Sequence, residues 1–334
     1  IKDESDHTQR YKSRVVSKGY MQIPGVDYTE KFSPVATASS LRVGLALTLH
    51  NNNEEKPWVC ELVDVEAAFL EGRLKKSTYI DIPQGMIELG FMTQAEFDEN
   101  CIELLGGMYG NVDAALLYFM RFTTFAINQD GLGMTQSESD PCVFFRRDKK
   151  GENDLIIIIY VDDCIIVGKS MKDIDKFVSS MQNGPENFIL ADEGDIDKFL
   201  GIDIKHLDDN KFEITQPFLI ERIANLLGLK DNDFDVESNS RSTPVGKPVL
   251  HKDLQGKLRK LLWKYRTAVG MLNYLQGNTR LEITMAAHKT ARFCNDPKLC
   301  HEKAIMRLGR YCLHTSNRGI VYQPDTSKGL EYYV

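Results

Sequence analysis

Two adjacent aspartates, Asp162 and Asp163, interrupt the apolar run LIIIIYVDDCIIVG at residues 155–168. Carboxylates flanked by strands of that kind repel each other and lose hydration, which raises a pKa or calls for a cation. Turn geometry gives no reason for them, because a two-residue hairpin turn favours Asn-Gly or Asp-Gly and Val-Asp-Asp-Cys has no glycine. A third carboxylate, Asp64, ends the strand-like WVCELVDV, where Trp58, Cys60, Leu62 and Asp64 alternate onto one face. Three carboxylates at neighbouring strand ends form the oxygen-rich set that Mg²⁺ prefers, with positions left for phosphate oxygens. Metal pairs held this way activate an attacking hydroxyl and stabilise a leaving oxygen in phosphoryl transfer.

The elements that must position these residues follow from the hydrophobic pattern. A helix is expected from Ser39-Ser40 to about His50, a strand over 58–65, a strand at TYIDI, and a helix beginning between Glu103 and Tyr109 and running through Ile127. YKSRVVSKGY at 11–20 reads as strand-like. The aspartate stretch reads as a hairpin, and MKDIDKFVSSMQN as an amphipathic helix with Met171, Ile174, Phe177, Val178 and Met181 on one side. KFLGIDIKHL and KFEITQ read as strands and PFLIERIANLLGL as a helix. Residues 231–250 form a polar linker, and helices are expected over 257–276, 283–295 and 301–315.

Composition limits the alternatives. The 334 residues are 42% hydrophobic and 27% charged, ordinary for a globular chain of one large core or several subdomains. No apolar run approaches the roughly 18 residues that span a bilayer, so the chain is expected to be intracellular with no membrane partner. The seven cysteines include no CxxC pair and fit reduced thiols. Cys294, Cys300, His301, Cys312 and His314 match no standard zinc spacing and are expected to pack helices. A net charge of −7 speaks against a nucleic-acid partner, but two basic patches oppose it: Arg10, Lys12, Arg14 and Lys18, and the segment 251–266 with Lys252, Lys257, Arg259, Lys260, Lys264 and Arg266 against one acid. On their own, both patches read as solvated faces.

YVDD between apolar strands, preceded by a DVxxAF segment, resembles reverse transcriptases. YKSRVVSKGYMQIPGVDYTEKFSPVA, LVDVEAAFLEG, FLGID, YRTAVGMLNYL and the span from Arg-Tyr-Cys-Leu to Gly-Ile-Val-Tyr follow, in order, the blocks of the Ty1/copia class of long-terminal-repeat retrotransposons. The resemblance implies an α+β right-hand polymerase. Fingers and palm would interleave over 1–205, the end of the palm and a helical thumb or connection would occupy 206–300, and 301–334 would lead towards an RNase H domain beyond GLEYYV. It implies an RNA- and DNA-directed DNA polymerase using two Mg²⁺ ions, with Mn²⁺ as a substitute. Asp64 and Asp162 would bridge the metals, Asp163 would help hold the one at the primer 3′-hydroxyl, and the Val65 carbonyl would add a ligand. Phe69, which alone reads as a core aromatic, takes the place of the ring that crowds a ribose 2′-hydroxyl. Arg14 and Lys12 would contact the incoming triphosphate, Tyr160 would pack near the primer end, and the Lys252–Arg266 patch would grip duplex backbone. The implied partners are an RNA template, a DNA primer–template duplex, deoxynucleoside triphosphates, and the RNase H and integrase parts of the same polyprotein. The implied compartment is a cytoplasmic virus-like particle, with cDNA delivered to the nucleus.

The chain departs from the family block Tyr-Gly-Leu-Lys-Gln-x-Pro-Arg at MYGNVDAALLYF. Asp113 stands at the glutamine that lies against the nucleotide, Ala115 at the proline and Leu116 at the arginine. A negative charge there motivates an alternative: a decayed element that folds and binds nucleic acid without polymerising.

Overall fold

The computed structural model describes residues 13–50, 58–129, 131–151, 153–194, 198–207, 211–230, 243–246 and 250–323. Arg10 and Lys12 lie outside the described residues, as does most of the 231–250 segment. The architecture is mixed helix and antiparallel sheet, the expected α+β class, in two compact units, residues 1–195 and 196–334.

In the first unit α1 (Ala38–His50) precedes β1 (Val59–Val65), and the pair β2 (Thr78–Ile80) and β3 (Ile102–Leu104) brackets the short helices α2 (Gly85–Glu88) and α3 (Gln94–Glu99). Then come α4 (Ala114–Ile127), β4 (Thr135–Gln136), β5 (Val143–Arg147), β6 (Asn153–Tyr160), β7 (Asp163–Gly168), α5 (Met171–Asn183) and β8 (Leu190–Gly194). Six strands form one sheet in the order β4-β5-β6-β7-β1-β8, antiparallel throughout. Leu155–Ile159 and Cys164–Gly168 are buried without alternation, because the two central strands are covered on both faces. Each side chain removed from water there contributes roughly 1.5–3 kcal/mol. Ser170 caps α5 by accepting from the Asp173 N–H, and Ile174, Phe177 and Met181 bury the expected face, whereas Met171 remains exposed. Phe122 of α4 meets Phe144 of β5 edge-on at 5.8 Å.

Buried Asp140 ties the start of α1 to the sheet, accepting from the Thr37 N–H at 2.9 Å, the Ser40 hydroxyl at 2.6 Å and the Cys142 N–H at 3.0 Å. Burial raises its pKa, but the hydrogen bonds from Ser40, Thr37 and Cys142 together hold it below the ordinary carboxylate value. A depressed folded pKa contributes stability that is full above the unfolded value and lost as pH falls through the folded one. Asp140→Asn is therefore expected to cost about 1–3 kcal/mol at neutral pH. In urea titrations the difference should shrink below pH 4. A constant difference from pH 7 to pH 3 would contradict this.

The second unit holds β9 (Lys198–Phe199), β10 (Ile202–Leu207), β11 (Lys211–Thr215), α6 (Pro217–Leu227), α7 (Tyr265–Asn278), α8 (Thr284–Ala291), α9 (Leu299–His314) and β12 (Ile320–Tyr322). Its sheet runs β12-β11-β10-β9, and the helices bury a core that includes Ile220, Ile223, Leu272, Leu275, Ile305 and Leu308. Arg280, 1% exposed, spans this core: it donates to Glu282 at 2.7 Å, to the Thr315 carbonyl at 3.0 Å and to the Thr315 hydroxyl.

Three expectations need correction. Residues 13–18 form no strand; their backbone is held instead by the Ser17 N–H donating to the Tyr109 carbonyl at 2.8 Å. Glu103 lies in β3, and the helix begins only at Ala114, because Gly106, Gly107 and Gly110 carry the chain through close backbone approaches before it can coil. Residues 257–264 are not helical. The Glu302 carboxylate, 3% exposed, accepts the N–H groups of Lys260 at 3.3 Å and Leu261 at 2.9 Å, taking donors a helix would use internally.

Candidate metal and nucleotide site

Strand register brings the carboxylates together. Tyr160 pairs with Asp163 across β6 and β7, so Val161 and Asp162 make a two-residue turn. On the other side of β7, Asp163 lies directly opposite Asp64, the penultimate residue of β1. The Val65 N–H donates to the Asp162 carbonyl at 2.9 Å and ties the turn to the end of β1. One oxygen from each of Asp64, Asp162 and Asp163 lies within 4.8 Å of the others, with Asp162 exposed and the other two half-buried. Among the described residues this is the only group of three or more His, Cys, Asp or Glu so arranged; the cysteines and histidines of 294–314 form none.

Like charges directly opposite in an antiparallel pair destabilise the sheet. Their field reaches the neighbours. The Cys164 thiol is pushed well above its ordinary value by burial first and then by Asp163, Asp64 and Asp162. The Tyr118 hydroxyl, buried with no hydrogen-bond partner among the described residues, is raised first by burial and then by the negative charges of Asp162, Asp64 and Glu71. A divalent cation fits this donor set: hard oxygens, close enough to share an ion, reachable from solvent at Asp162.

The turn carries strain. Val161 has φ 62°, a left-handed value that a β-branched residue rarely adopts, while Asp162 keeps a negative φ, the pattern of a II′ turn in which glycine normally comes first. Such strain persists where surrounding structure over-determines it. Val161→Gly is expected to stabilise the protein by up to about 1 kcal/mol, the relief of strain exceeding the entropy glycine adds to the unfolded chain. Urea unfolding measures it, and a loss of stability would mean that the valine side chain contributes more through packing than its backbone costs.

Beyond Val65, Ala67 also adopts a left-handed conformation, φ 55°, and turns the chain into a short 3₁₀ helix, Ala68–Glu71. Phe69 is half-buried on this turn, and its ring meets Tyr109 edge-on at 5.7 Å and 72°. The Arg14 guanidinium lies 5.2 Å from the Tyr109 ring centre. The end of the turn is held by Arg121 of α4, which donates to the Glu71 carbonyl at 2.7 Å and pairs with the carboxylates of Glu71 and Glu186. Asp113 occupies the N-cap of α4, half-buried and without a side-chain cap bond, where the helix dipole favours a negative charge.

Other expected site residues stand differently. Val65 is wholly buried, and its N–H braces the aspartate turn. Tyr160 is half-buried at the end of β6. In the second unit Lys252, Lys257, Lys260 and Lys264 are exposed on an irregular loop. Arg259 instead turns inward, 4.2 Å from the Trp263 ring centre, donating to Glu302 at 3.3 Å and to the Trp263 carbonyl at 2.6 Å. Arg266 donates to the Asn295 side chain at 2.8 Å.

Residues 1–244 match the family model described as reverse transcriptase (RNA-dependent DNA polymerase). The chain belongs to this family. Similar proteins include the retrovirus-related Pol polyprotein from transposon TNT 1-94 of Nicotiana tabacum, 31% identical over 94% of this chain and 22% of the relative. The Pol polyproteins from transposons RE1 and RE2 of Arabidopsis thaliana are 27% and 28% identical, each over 97% of this chain and 20% of the relative. The chain therefore spans about a fifth of the length of these relatives. The likeness to copia-type elements read from the ordered blocks stands with them.

Tyr109, Tyr118, Arg121, Glu71 and Glu186 were not singled out from sequence. The closely spaced glycines of GGMYG, which mark close backbone approach, and the match of Tyr109-Gly110 to the start of the family block are local signals that point to Tyr109. The Arg121 cluster joins residues 50 and 65 positions apart and leaves no local pattern.

Proposed function

We propose that this reverse transcriptase domain polymerises DNA on an RNA or DNA template by attack of a primer 3′-hydroxyl on the α-phosphate of a deoxynucleoside triphosphate, with release of pyrophosphate. The observation that carries this reading is the convergence of Asp64, Asp162 and Asp163 at the ends of adjacent strands. Two Mg²⁺ ions, when bound, supply Lewis acidity to the attacking and leaving oxygens. Asp64, Asp162 and Asp163 would hold them, with Asp163 helping to hold the one at the primer 3′-hydroxyl. In this reading fingers and palm interleave over 1–205, with the six-stranded sheet in the palm and the segment around Arg14 in the fingers, while 206–300 holds the end of the palm and the thumb or connection. Phe69 crowds a ribose 2′-hydroxyl, Arg14 meets the triphosphate, and the exposed Lys252, Lys257, Lys260 and Lys264 follow duplex phosphates, while Arg259 shapes their loop.

The test gives the purified chain poly(rA)·oligo(dT), Mg²⁺ and either dTTP or UTP. Incorporation of dTTP well above that of UTP is expected, and Phe69→Ala should raise relative use of UTP by about tenfold or more, since pocket sterics discriminate on that scale. Absence of dTTP incorporation above an Asp162→Asn control would assign the chain to the alternative of a non-polymerising nucleic-acid binder. An unchanged UTP ratio in Phe69→Ala would remove the gate.

A further inference from the structure

Resting on the polymerase reading above, we propose that Tyr109 is a positioning residue for sugar selection, holding the Phe69 ring by its edge and the Arg14 guanidinium by its face. A ring that selects against one hydroxyl group works only if its position is held. Phe69 is half-buried on a 3₁₀ turn, so the core covers it only in part. One support is its edge contact with Tyr109, at 5.7 Å and 72°, within the range favoured by aromatic pairs.

The backbone on either side of Tyr109 is held closely. A Cβ on Gly107 would lie 2.2 Å from the Phe69 carbonyl oxygen, and one on Gly106 would lie 2.6 Å from that of Leu70. On the far side Gly110, at φ 90°, would place a Cβ 2.3 Å from the Ser17 carbonyl oxygen. The Ser17 N–H donates to the Tyr109 carbonyl at 2.8 Å, and the Ser17 hydroxyl donates to Asn111. The loop is thus clamped between the Phe69 turn and the Arg14 segment, and Tyr109 is the side chain that bridges them. Arg14 is exposed and sits 5.2 Å from the ring centre, a cation–π seat for a guanidinium that would meet phosphate. One ring therefore sets the relative position of the group facing the sugar and the group facing the triphosphate.

The experiment compares kcat/KM for dTTP and UTP in the whole chain and in Tyr109→Phe, Tyr109→Ala, Phe69→Ala and the Phe69→Ala/Tyr109→Ala double variant, on poly(rA)·oligo(dT). Tyr109→Phe keeps the ring and should leave the dTTP/UTP ratio within twofold of wild type. Tyr109→Ala should lower it by roughly three- to tenfold, the scale of an aromatic edge contact. In the Phe69→Ala background the same change should lower it no further, because the brace acts through Phe69. Should Tyr109→Ala lose its cooperative thermal transition, Tyr109→Leu keeps bulk without an aromatic edge and should give the same fall. A polymerising wild type whose ratio is unmoved by Tyr109→Ala or Leu overturns the brace alone, as does an equal fall in both backgrounds. A wild type without dTTP incorporation overturns the polymerase reading and, with it, any part in sugar selection.

Discussion

Asp162→Asn is expected to reduce dTTP incorporation by about three orders of magnitude or more, while the metal-free protein becomes no less stable than wild type. The two halves of this expectation share one cause. Asp64 and Asp163 face each other across β1 and β7, and Asp162 sits on the adjoining turn, so three negative charges lie within reach of one another. Without a cation they repel, and neutralising one relieves the sheet. In the proposed reading a cation would take them as ligands, and the same substitution would remove one of the charges that hold it. Mg²⁺ should therefore raise the thermal transition of the wild type and barely move that of the variant, since a ligand that binds only the folded state stabilises by mass action. Thermal unfolding with and without Mg²⁺, beside the incorporation assay, reads both. A variant that is markedly less stable without metal would show that Asp162 serves the turn structurally. The idea fails if Mg²⁺ shifts both proteins equally.

The largest stability effect is expected in the second unit. Arg280→Ala should destabilise the protein by about 3–5 kcal/mol, the usual consequence of breaking a buried charged network. Arg280 lies at the end of α7 and reaches the end of α9, satisfying the Thr315 carbonyl and hydroxyl while it pairs with Glu282; its guanidinium also lies 5.6 Å from the Tyr311 ring centre. Truncation leaves Thr315 without that donor inside the protein and opens a cavity between two helices. Glu282 is half-exposed, so its loss of a partner adds little. Arg280→Lys should recover less than half of the difference, because an ammonium cannot reach the three acceptors in the planar arrangement of a guanidinium. Urea midpoints of the three proteins measure this. Equal midpoints for Lys and Arg would mean that charge alone matters here.

How far the residues could be read in advance differs from element to element. α5 was legible because Ile174, Phe177 and Met181 recur at helical spacing, a signal contained within its own thirteen residues. The β6–β7 hairpin was legible for a similar reason: unbroken apolar runs flank a short polar interruption. The 257–264 loop was not. Its composition favours a helix, but a buried carboxylate from α9, some forty residues on, takes its N–H groups, and Arg259 folds onto Trp263. Tertiary contacts of that kind override propensity without leaving a local trace.

The sequence by itself determined the class of fold, the family and the three carboxylates, because each rests on short patterns: apolar periodicity, ordered blocks, and charge where apolar neighbours make charge costly. Only the tertiary structure decided that Asp163 lies opposite Asp64, that Val161 bends the turn through a left-handed conformation, and that Tyr109 stands between Phe69 and Arg14. Those facts depend on strand register and on backbone approach between segments far apart in the chain. Residue type states what a side chain can do; which distant partner it meets is settled when the strands pair and the glycine loop closes between them.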